Sequence, residues 1–497
     1  MKNKVTLLNA FSCILLQLVN IASNFIVPKL ILSAFGSEVN GLVSSLTQFL
    51  NYIALLEGGV NGVIMANLYK PLFKKDYKTV SSIIRTSTDF FRKVSYIFAL
   101  YTFVLAIAYP LIVKSNFSFA YVSSLTLILS IKLFTQYCFS LSIKNLLNAD
   151  KKVFYVSITQ IVLVILDTVS AIAICKFLPN IHILKAASAI IFALQPVLYN
   201  RYAKKHYPIE KKSPINKKLL ASRWDGFAIN FAAFVHNSTD LTIITFMIGL
   251  TEASVYSVYA LIATGIKQVI NSIWNAFAPS MGNTLASGNI DKLNKKFDIL
   301  EFINFILTFA CFSIGAMLIA PFVVLYTNGI NDANYYRPVF GILLMVAEGV
   351  YVLRNPYVNL AYGANKFKDI TRHAVIEVLI NIVLSLILVP SLGIMGVAIG
   401  TIAAMTYRTM YQIVYLRKKI LKRPFSKFMK RFTIFTIATI IAIITSRAVT
   451  FEVIDTFTLW VKYAIIYIII FGICYSLIGI IFFRKELSGL KKYLREK

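Results

Sequence analysis

The sequence predicts an all-α integral membrane protein with about fourteen transmembrane helices. Of its 497 residues, 58% are hydrophobic, and the mean hydropathy of +0.72 leaves little polar surface for a water-soluble globule. A transmembrane helix needs about 20 mostly apolar residues, and fourteen such runs follow one another along the chain. They begin near Val5, Val39, Val94, Ala120, Val153, Ile183, Phe227, Ala253, Ile299, Val339, Ile370, Ile394, Phe432 and Leu459.

Basic residues distinguish the two sides of the predicted membrane domain. Forty of the 51 Lys and Arg residues lie at the termini and in the loops after even-numbered spans, whereas the opposite loops hold only Lys114, Lys176 and Arg337. Loops rich in Lys and Arg stay in the cytoplasm, so both termini are expected there. Because the basic residues are divided among short loops, they form no continuous nucleic-acid surface. Membrane lipids with anionic head groups are the expected partners of these loops.

The basic linkers also predict the domain organisation. Six spans on either side of a central basic linker are the layout of a transporter built from repeats. The expected parts are an N-terminal lobe at 1–203 with spans 1–6, a basic cytoplasmic linker at 204–223, a C-terminal lobe at 224–416 with spans 7–12, a second basic linker at 417–431, spans 13 and 14 at 432–483, and a basic cytoplasmic tail at 484–497.

Polar side chains inside the spans indicate a cavity. Such side chains are costly at bilayer depth, so they are expected to face the bundle interior or water. Lys267, Asn271 and Asn275 step by four and predict one polar stripe on span eight. The alternative for each amide is a hydrogen bond to a neighbouring helix. The predicted substrate-binding residues are Lys132, Lys267, Arg354, Asn20, Asn24, Asn51, Asn271 and Asn275.

Buried carboxylates are candidates for ion coupling, because they can exchange a proton or a sodium ion as a transporter changes state. The alternative is that they only neutralise buried cations. Lys132 in span four and Asp167 in span five stand out as isolated charges of the first half. Lys185, near a span end, is expected to extend to the interface. The ion-coupling candidates are Glu57, Asp167, Asp240, Glu348 and Glu377.

The sequence offers no metal or cofactor motif. His236 and His373 lie on separate spans and belong to no H-x-x-x-H arrangement, and the five cysteines lie in apolar segments with no C-x-x-C pair. A phosphate-binding G-x-x-x-x-G-K-[ST] loop is also absent from the sequence. Neither a metal, a cofactor nor nucleotide-driven transport is therefore predicted.

Three stretches carry a family resemblance. Residues 236–286 read "HNSTDLTIITFMIGLTEASVYSVYALIATGIKQVINSIWNAFAPSMGNTLA". The first two spans contain "IVPKLILSAFGSEVNGLVSSLTQFL" and then "EGGVNGVI", and residues 390–408 read "PSLGIMGVAIGTIAAMTYR". These stretches resemble the Wzx-type flippases of O-antigen and capsule repeat units, in the multidrug/oligosaccharidyl-lipid/polysaccharide (MOP) exporter superfamily.

The resemblance implies two six-helix lobes in a V around a central cavity, plus two C-terminal helices. The implied activity is alternating-access transport of an undecaprenyl-pyrophosphate-linked oligosaccharide across the bacterial cytoplasmic membrane, with ion coupling expected as the energy source. Glycosyltransferases and a polymerase of the same polysaccharide pathway are the implied protein partners. A diphosphate and sugar hydroxyls need cations and amide donors, and the predicted cavity residues offer both.

Three other functions remain open from the sequence. A lipid II flippase shares the fourteen-span layout, whereas a MATE-type multidrug/cation antiporter typically has twelve spans and an acidic, aromatic pocket. A membrane glycosyltransferase or polymerase would need large outward loops with catalytic motifs. The longest outward loop runs only from Tyr326 to Arg337 and has no D-x-D motif, so the chain is not expected to be an enzyme.

Overall fold

The structure, a computed structural model, describes residues 2–57, 59–113, 115–210, 213–216, 219, 238–286, 289–364, 367–450 and 452–495. Within these ranges the regular secondary structure is helical, without strands. Eleven helices of the described chain are long and apolar enough to cross a membrane. The chain is therefore a multi-pass membrane protein.

The chain divides into two compact units, Met1–Ser254 (unit 1) and Val255–Lys497 (unit 2). Residues 238–247 of unit 1 are also helical. The helices of unit 1 are α1 (Lys2–Asn51), α2 (Ala54–Glu57), α3 (Val60–Lys74), α4 (Tyr77–Ile112), α5 (Phe119–Thr135), a π-helical turn (Gln136–Ser140), α6 (Leu141–Ala149), α7 (Val153–Phe177) and α8 (Ile181–His206).

Helix α9 (Leu250–Ala286) begins in unit 1 and continues into unit 2. The following helices of unit 2 are α10 (Ile290–Tyr326), α11 (Pro338–Leu353), α12 (Asn355–Gly363), α13 (Phe367–Leu392), α14 (Ile394–Leu416), a second π-helical turn (Arg417–Leu421), α15 (Ser426–Val449), α16 (Phe457–Phe482) and α17 (Arg484–Arg495).

Glycines interrupt the first two predicted spans. Gly36 has φ 82° and ψ 178°, so it breaks α1 where the first predicted span gives way to the second. The second predicted span, which begins near Val39, is not followed by one continuous helix. The chain turns at Tyr52 and Ile53, forms the short helix α2, and resumes as α3 after Gly59, because glycine is a poor helix former.

The helix that contains the third predicted span begins before the apolar run. Helix α4 starts at Tyr77, whereas the run begins near Val94, since a membrane helix can continue beyond its apolar segment. The Asp76 side chain accepts hydrogen bonds from Thr79 Oγ1 at 2.6 Å and Thr79 N at 3.1 Å. These bonds lower the pKa of the Asp76 carboxyl group below its usual value.

The seventh predicted span begins at Phe227, and residues 220–237 lie outside the described residues. Only its last part, the helical stretch 238–247, is described. The count of fourteen spans and the six-plus-six division of the chain therefore stay predictions.

Apolar side chains fill the interior of the helical units and also cover their outer faces. On α4, Phe98 is fully buried, whereas Leu100 and Phe103 are 67% and 60% exposed. On α16, Ile468 and Ile473 are 60% and 56% exposed. Such faces are unfavourable in water but suit contact with lipid chains.

A close backbone contact inside unit 1 depends on Gly41 of α1. A Cβ atom added at Gly41 would lie 1.8 Å from the carbonyl oxygen of Leu250, at the start of α9. Next to this contact, Asn40 Nδ2 donates a hydrogen bond of 2.8 Å to Ser254 Oγ. The missing side chain lets the two backbones approach, as small residues do between membrane helices.

We expect Gly41→Ala to lower the melting temperature of the full-length protein in detergent by several degrees. The added methyl group must push the two backbones apart, and overpacking of this kind costs about 1–3 kcal/mol. Gly62→Ala on α3 is the matched control, because a Cβ at Gly62 meets no heavy atom within 4 Å. Equal melting temperatures for the two variants would contradict the close contact at Gly41.

Candidate functional site

Four predicted site residues lie together within unit 2, beside one tyrosine and one further arginine. We call these six residues the unit 2 charge cluster, and each comes from an apolar helix or its end. Its members are Lys267 on α9, Glu348 and Tyr351 on α11, Arg354 at the end of α11, Glu377 on α13 and Arg408 on α14.

Lys267 and Arg354 contact the same aromatic ring. Lys267 Nζ lies 2.9 Å from Glu348 Oε1 and 5.0 Å from the ring centroid of Tyr351. The Arg354 guanidinium carbon lies 4.2 Å from the same centroid. Cation–π contacts stabilise both charges where little water reaches them, so Tyr351 holds the two cations near one another.

Glu377 connects the second half of the cluster. Its Oε2 atom accepts a hydrogen bond from Arg408 Nη1 and lies 3.8 Å from Arg354 Nη1. Arg354, Glu377 and Arg408 are 3%, 1% and 7% exposed. Buried charges are costly unless they are paired. The cluster holds three cations and two carboxylates, so it keeps one positive charge beyond its own acids.

Arg408 is a site residue that sequence reasoning missed. It lies in the stretch at 390–408 that carries the family resemblance, but it was counted only among charges within or beside spans. The signal was its position fifteen residues into a helix that begins at Ile394. One turn further on α14, the Gln412 side chain is 1% exposed, and its amide nitrogen and oxygen make no hydrogen bond among the described residues.

Three asparagines of unit 2 take part in hydrogen bonds between helices. Asn355 Nδ2 donates to Asn271 Oδ1 at 2.9 Å, so Asn271 follows the alternative predicted for membrane amides. Asn304 Nδ2 on α10 donates to the carbonyl oxygens of Val352 and Leu353 at 3.2 and 3.0 Å. In the predicted stripe on α9, Lys267 therefore belongs to an ion pair and Asn271 to an amide pair. The Asn275 side chain lies outside the described residues.

A hydrogen-bonded carboxylate marks the helix break of unit 1. Glu57 ends α2, and its Oε1 atom accepts a hydrogen bond from the Tyr137 hydroxyl. Its Oε2 atom accepts a bond of 2.7 Å from Asn61 Nδ2, and Asn61 Oδ1 accepts one of 2.8 Å from Asn145 Nδ2. Tyr137 lies in the π-helical turn, a local distortion that is frequent at functional sites.

Lys132 and Asp167 are not isolated charges, contrary to the sequence prediction. The Lys132 Nζ atom lies 3.4 Å from the ring centroid of Phe192. The negative charge of Asp167 acts on both Lys132 and Lys185. The three side chains come from α5, α7 and α8, and only the packing of these helices brings them together. Lys185 therefore belongs to this charged group of unit 1.

The other predicted site residues of unit 1 differ in how far they are buried. Asn20 and Asn51 are half-buried, Asn24 is exposed, and Asp240 is buried in the helical stretch 238–247. The structure describes no contact that joins these four residues into one group. His236 lies outside the described residues.

A second charged group of unit 2, the Glu301 group, was also missed by sequence reasoning. Glu301 on α10 is 1% exposed. Its Oε1 atom accepts a bond of 2.6 Å from Arg417 Nη2 and one from the Tyr357 hydroxyl. Its Oε2 atom accepts bonds from Arg431 Nη1 at 2.5 Å and Arg423 Nη2 at 3.2 Å.

Two more carboxylates complete the Glu301 group. Asp298, one turn before Glu301, accepts a hydrogen bond of 2.5 Å from Arg423 and one of 2.6 Å from Lys427. Glu486 on α17 accepts a bond of 2.8 Å from Arg431 Nη2. The basic segment at 417–431 was predicted only from topology. In the folded chain, the hydrogen bonds of this basic segment connect α10, α15 and α17.

The candidate site contains no recognisable metal centre. Within the described ranges, no three His, Cys, Asp or Glu side chains lie close enough to hold a metal ion. Lys267, Arg354 and Arg408 offer the unit 2 charge cluster electrostatic and hydrogen-bonding recognition of an anion.

The described fold is that of a multi-helix membrane protein, and solved structures share it. The chain resembles the lipid II flippase MurJ in an inward closed conformation, with a TM-score of 0.68, 15% identity, and coverage of 95% of this chain and 99% of that one. It also resembles an inward-facing multidrug resistance MATE family transporter of the MOP superfamily, with a TM-score of 0.62 and 14% identity. That match covers 80% of this chain and 94% of the other.

A eukaryotic MATE transporter gives a TM-score of 0.58 at 14% identity, with coverage of 83% of this chain and 95% of that one. No protein-family profile matches the sequence, and no curated protein matches it. At these identities the likeness concerns the fold, which this chain shares with MurJ and MATE transporters.

Proposed function

We propose that this protein is a MOP-superfamily flippase that moves an undecaprenyl-pyrophosphate-linked oligosaccharide repeat unit across the bacterial cytoplasmic membrane. The observation that carries the proposal is the positive surplus of the unit 2 charge cluster inside a MurJ-like and MATE-like fold. A buried site with more cations than carboxylates suits an anionic substrate such as a diphosphate. It does not suit the cations that a drug/cation antiporter exports.

In this proposal each group of polar residues has a distinct role. Lys267, Arg354 and Arg408 in unit 2 attract the diphosphate, and Lys132 in unit 1 stays a separate candidate for substrate contact. The remaining predicted cavity residues contact sugar hydroxyls, for which amides are suitable donors and acceptors. These amides are Asn20, Asn24, Asn51 and Asn275, whereas Asn271 is bonded to Asn355.

Among the ion-coupling candidates, we select Glu57 for proton or sodium exchange because it lies at a helix break. Glu348 and Glu377 are each paired with a cation of the unit 2 charge cluster. Glu57 accepts hydrogen bonds from the neutral donors Tyr137 and Asn61, and its charge also acts on Lys144. Discontinuous membrane helices often form the ion sites of transporters.

A lipid II flippase is the second candidate, because the MurJ fold covers 95% of this chain whereas the MATE transporter fold covers 80%. Lipid II carries the same polyprenyl diphosphate chemistry, so the unit 2 charge cluster does not distinguish the two candidate functions. A complementation experiment distinguishes them. Growth of a strain depleted of its lipid II flippase, restored by this gene, would favour the second candidate.

The proposed function predicts where lipid-linked oligosaccharide accumulates. In a strain that lacks the gene, labelled lipid-linked oligosaccharide is expected to stay in the inner leaflet, where a membrane-impermeant lectin or glycosidase does not reach it. The intact gene should restore access to the reagent. If the sidedness of the oligosaccharide is the same with and without the gene, the flippase proposal is wrong.

A further inference from the structure

Unit 1 contains a cavity that none of the predicted site residues lines. Its volume is about 760 Å³, within the range of about 300–1,000 Å³ typical of small-molecule pockets. Its walls are one face of α4, the π-helical turn with α6, and the last turns of α8. Residues 207–210 and 213–216, which we call the strap, form the remaining wall.

Four hydrogen bonds fasten the strap to α4 and so build the cavity. They are Glu210 N to Ser81 Oγ at 3.0 Å, Ser82 Oγ to the Pro214 carbonyl at 2.6 Å, Arg85 Nη1 to the Ser213 carbonyl at 2.6 Å, and Asn216 N to Thr86 Oγ1 at 3.0 Å. At the end of α8, the Tyr207 hydroxyl donates a bond of 2.6 Å to Asp150. The cavity wall is therefore held by specific contacts.

The charged residues of this cavity favour an anion. Arg85 and Arg92 lie two turns apart on α4, and Lys204 faces them from α8. Of the two acidic lining residues, Asp89 is paired with Lys93 at 2.8 Å, outside the lining. Glu210 is the other acid, and it is exposed, as are Arg92 and Lys204. The cavity is therefore lined by three cations, and Glu210 is its one acid for which no ion pair is described. This excess of positive charge favours a phosphate group.

The same cavity also has an apolar side. Phe139 of the π-helical turn and Ile215 of the strap line it, and they are 52% and 41% exposed. The cavity lies where α8 ends at His206, on the side of the membrane that the charge pattern predicts to be cytoplasmic. Phosphate groups of membrane lipids lie at this level, beside the first carbons of the acyl chains.

We propose that this cavity binds the phosphate-bearing head group of an anionic membrane lipid, with the phosphate at Arg85, Arg92 and Lys204 and the adjoining lipid carbons at Phe139. The site is separate from the transported substrate, so it does not depend on the proposed function. A lipid bound there contacts α4, α8 and the strap at once. A bound lipid therefore stabilises the attachment of the strap to α4 and α8.

Melting temperatures of the full-length protein in detergent test this site. Phosphatidylglycerol is expected to raise the melting temperature of the unaltered protein above that in phosphatidylcholine, since a ligand that binds the folded state stabilises it. In the variant Arg85→Gln/Arg92→Gln/Lys204→Gln, the difference should fall to less than half. The control Lys78→Gln/Arg447→Gln/Arg484→Gln removes the same charge from exposed positions and should keep the full difference.

A second variant keeps all three cations. Thr88→Trp places a large ring in the cavity from α4 and is also expected to remove most of the phosphatidylglycerol effect; it decides the test if the triple cavity variant fails to fold. An unchanged effect in Thr88→Trp, or an equal loss in the control variant, would overturn the proposal. Glycerol 3-phosphate should leave the melting temperature unchanged. If it matches phosphatidylglycerol, the site binds a soluble anion and the lipid proposal is wrong.

Discussion

Arg354→Ala is expected to abolish surface polysaccharide while the protein stays folded in the membrane. Arg354 lies 3.8 Å from Glu377, but Glu377 keeps its hydrogen bond to Arg408 when Arg354 is removed. The variant therefore loses a cation for the substrate without leaving a buried carboxylate alone. A hydrogen bond to a charged group contributes about 1.5–3 kcal/mol, so binding of the diphosphate should weaken about 10- to 100-fold.

The measurement is the leaflet assay with Arg354→Ala in place of the intact gene. Arg447→Ala on α15 is the matched control, because Arg447 is exposed near the end of its helix and should leave transport unchanged. Lys132→Ala and Lys267→Ala are expected to reduce transport as well. Normal surface glycan in a variant that lacks Lys132, Lys267 and Arg354 together would refute the role of these cations.

Glu301→Ala is expected to destabilise the protein more than any other single carboxylate change that we consider. Its side chain accepts bonds from Arg417, Arg423 and Arg431, and Arg417 and Arg431 are 1% and 2% exposed. Removal of the carboxylate leaves these guanidinium groups buried without their shared partner. Breaking a buried ion pair in this way costs about 3–5 kcal/mol.

The loss should appear as a lower melting temperature and a smaller folded fraction after extraction into detergent. Glu452→Ala is the matched control, since Glu452 and Lys462 are 3.5 Å apart with side chains that are 52% and 51% exposed. Such surface pairs contribute about 0–1 kcal/mol. Glu301→Gln, which keeps one oxygen acceptor, should lie between the two. Equal melting temperatures for Glu301→Ala and Glu452→Ala would show that the buried group contributes little to stability.

The sequence was most informative about membrane segments and least informative about charged partners. The apolar runs were recognised because each transmembrane helix needs about 20 mostly apolar residues. Lys267, Glu348, Arg354 and Glu377 were recognised because charges inside apolar runs are rare. Arg408 was passed over because one arginine in a span gives no sign of its partner.

The basic segment at 417–431 shows a different limit. Its charges predict a cytoplasmic linker, and that interpretation did not reveal its structural role. Nothing local to Arg417 or Arg431 indicates that both reach Glu301, which precedes Arg417 by 116 residues. The same reasoning applies to Lys185, whose position near a span end suggested an interfacial side chain.

By itself the sequence determined that this is a helical, multi-pass membrane protein with buried cations and carboxylates. Hydropathy and charge along one helix are local properties, and a bilayer imposes them directly on each segment. The tertiary structure decided which charges neutralise one another, where α2 interrupts the second predicted span, and how α4, α8 and the strap enclose a separate cavity. These features arise from contacts between segments far apart in the chain, which no single stretch of sequence specifies.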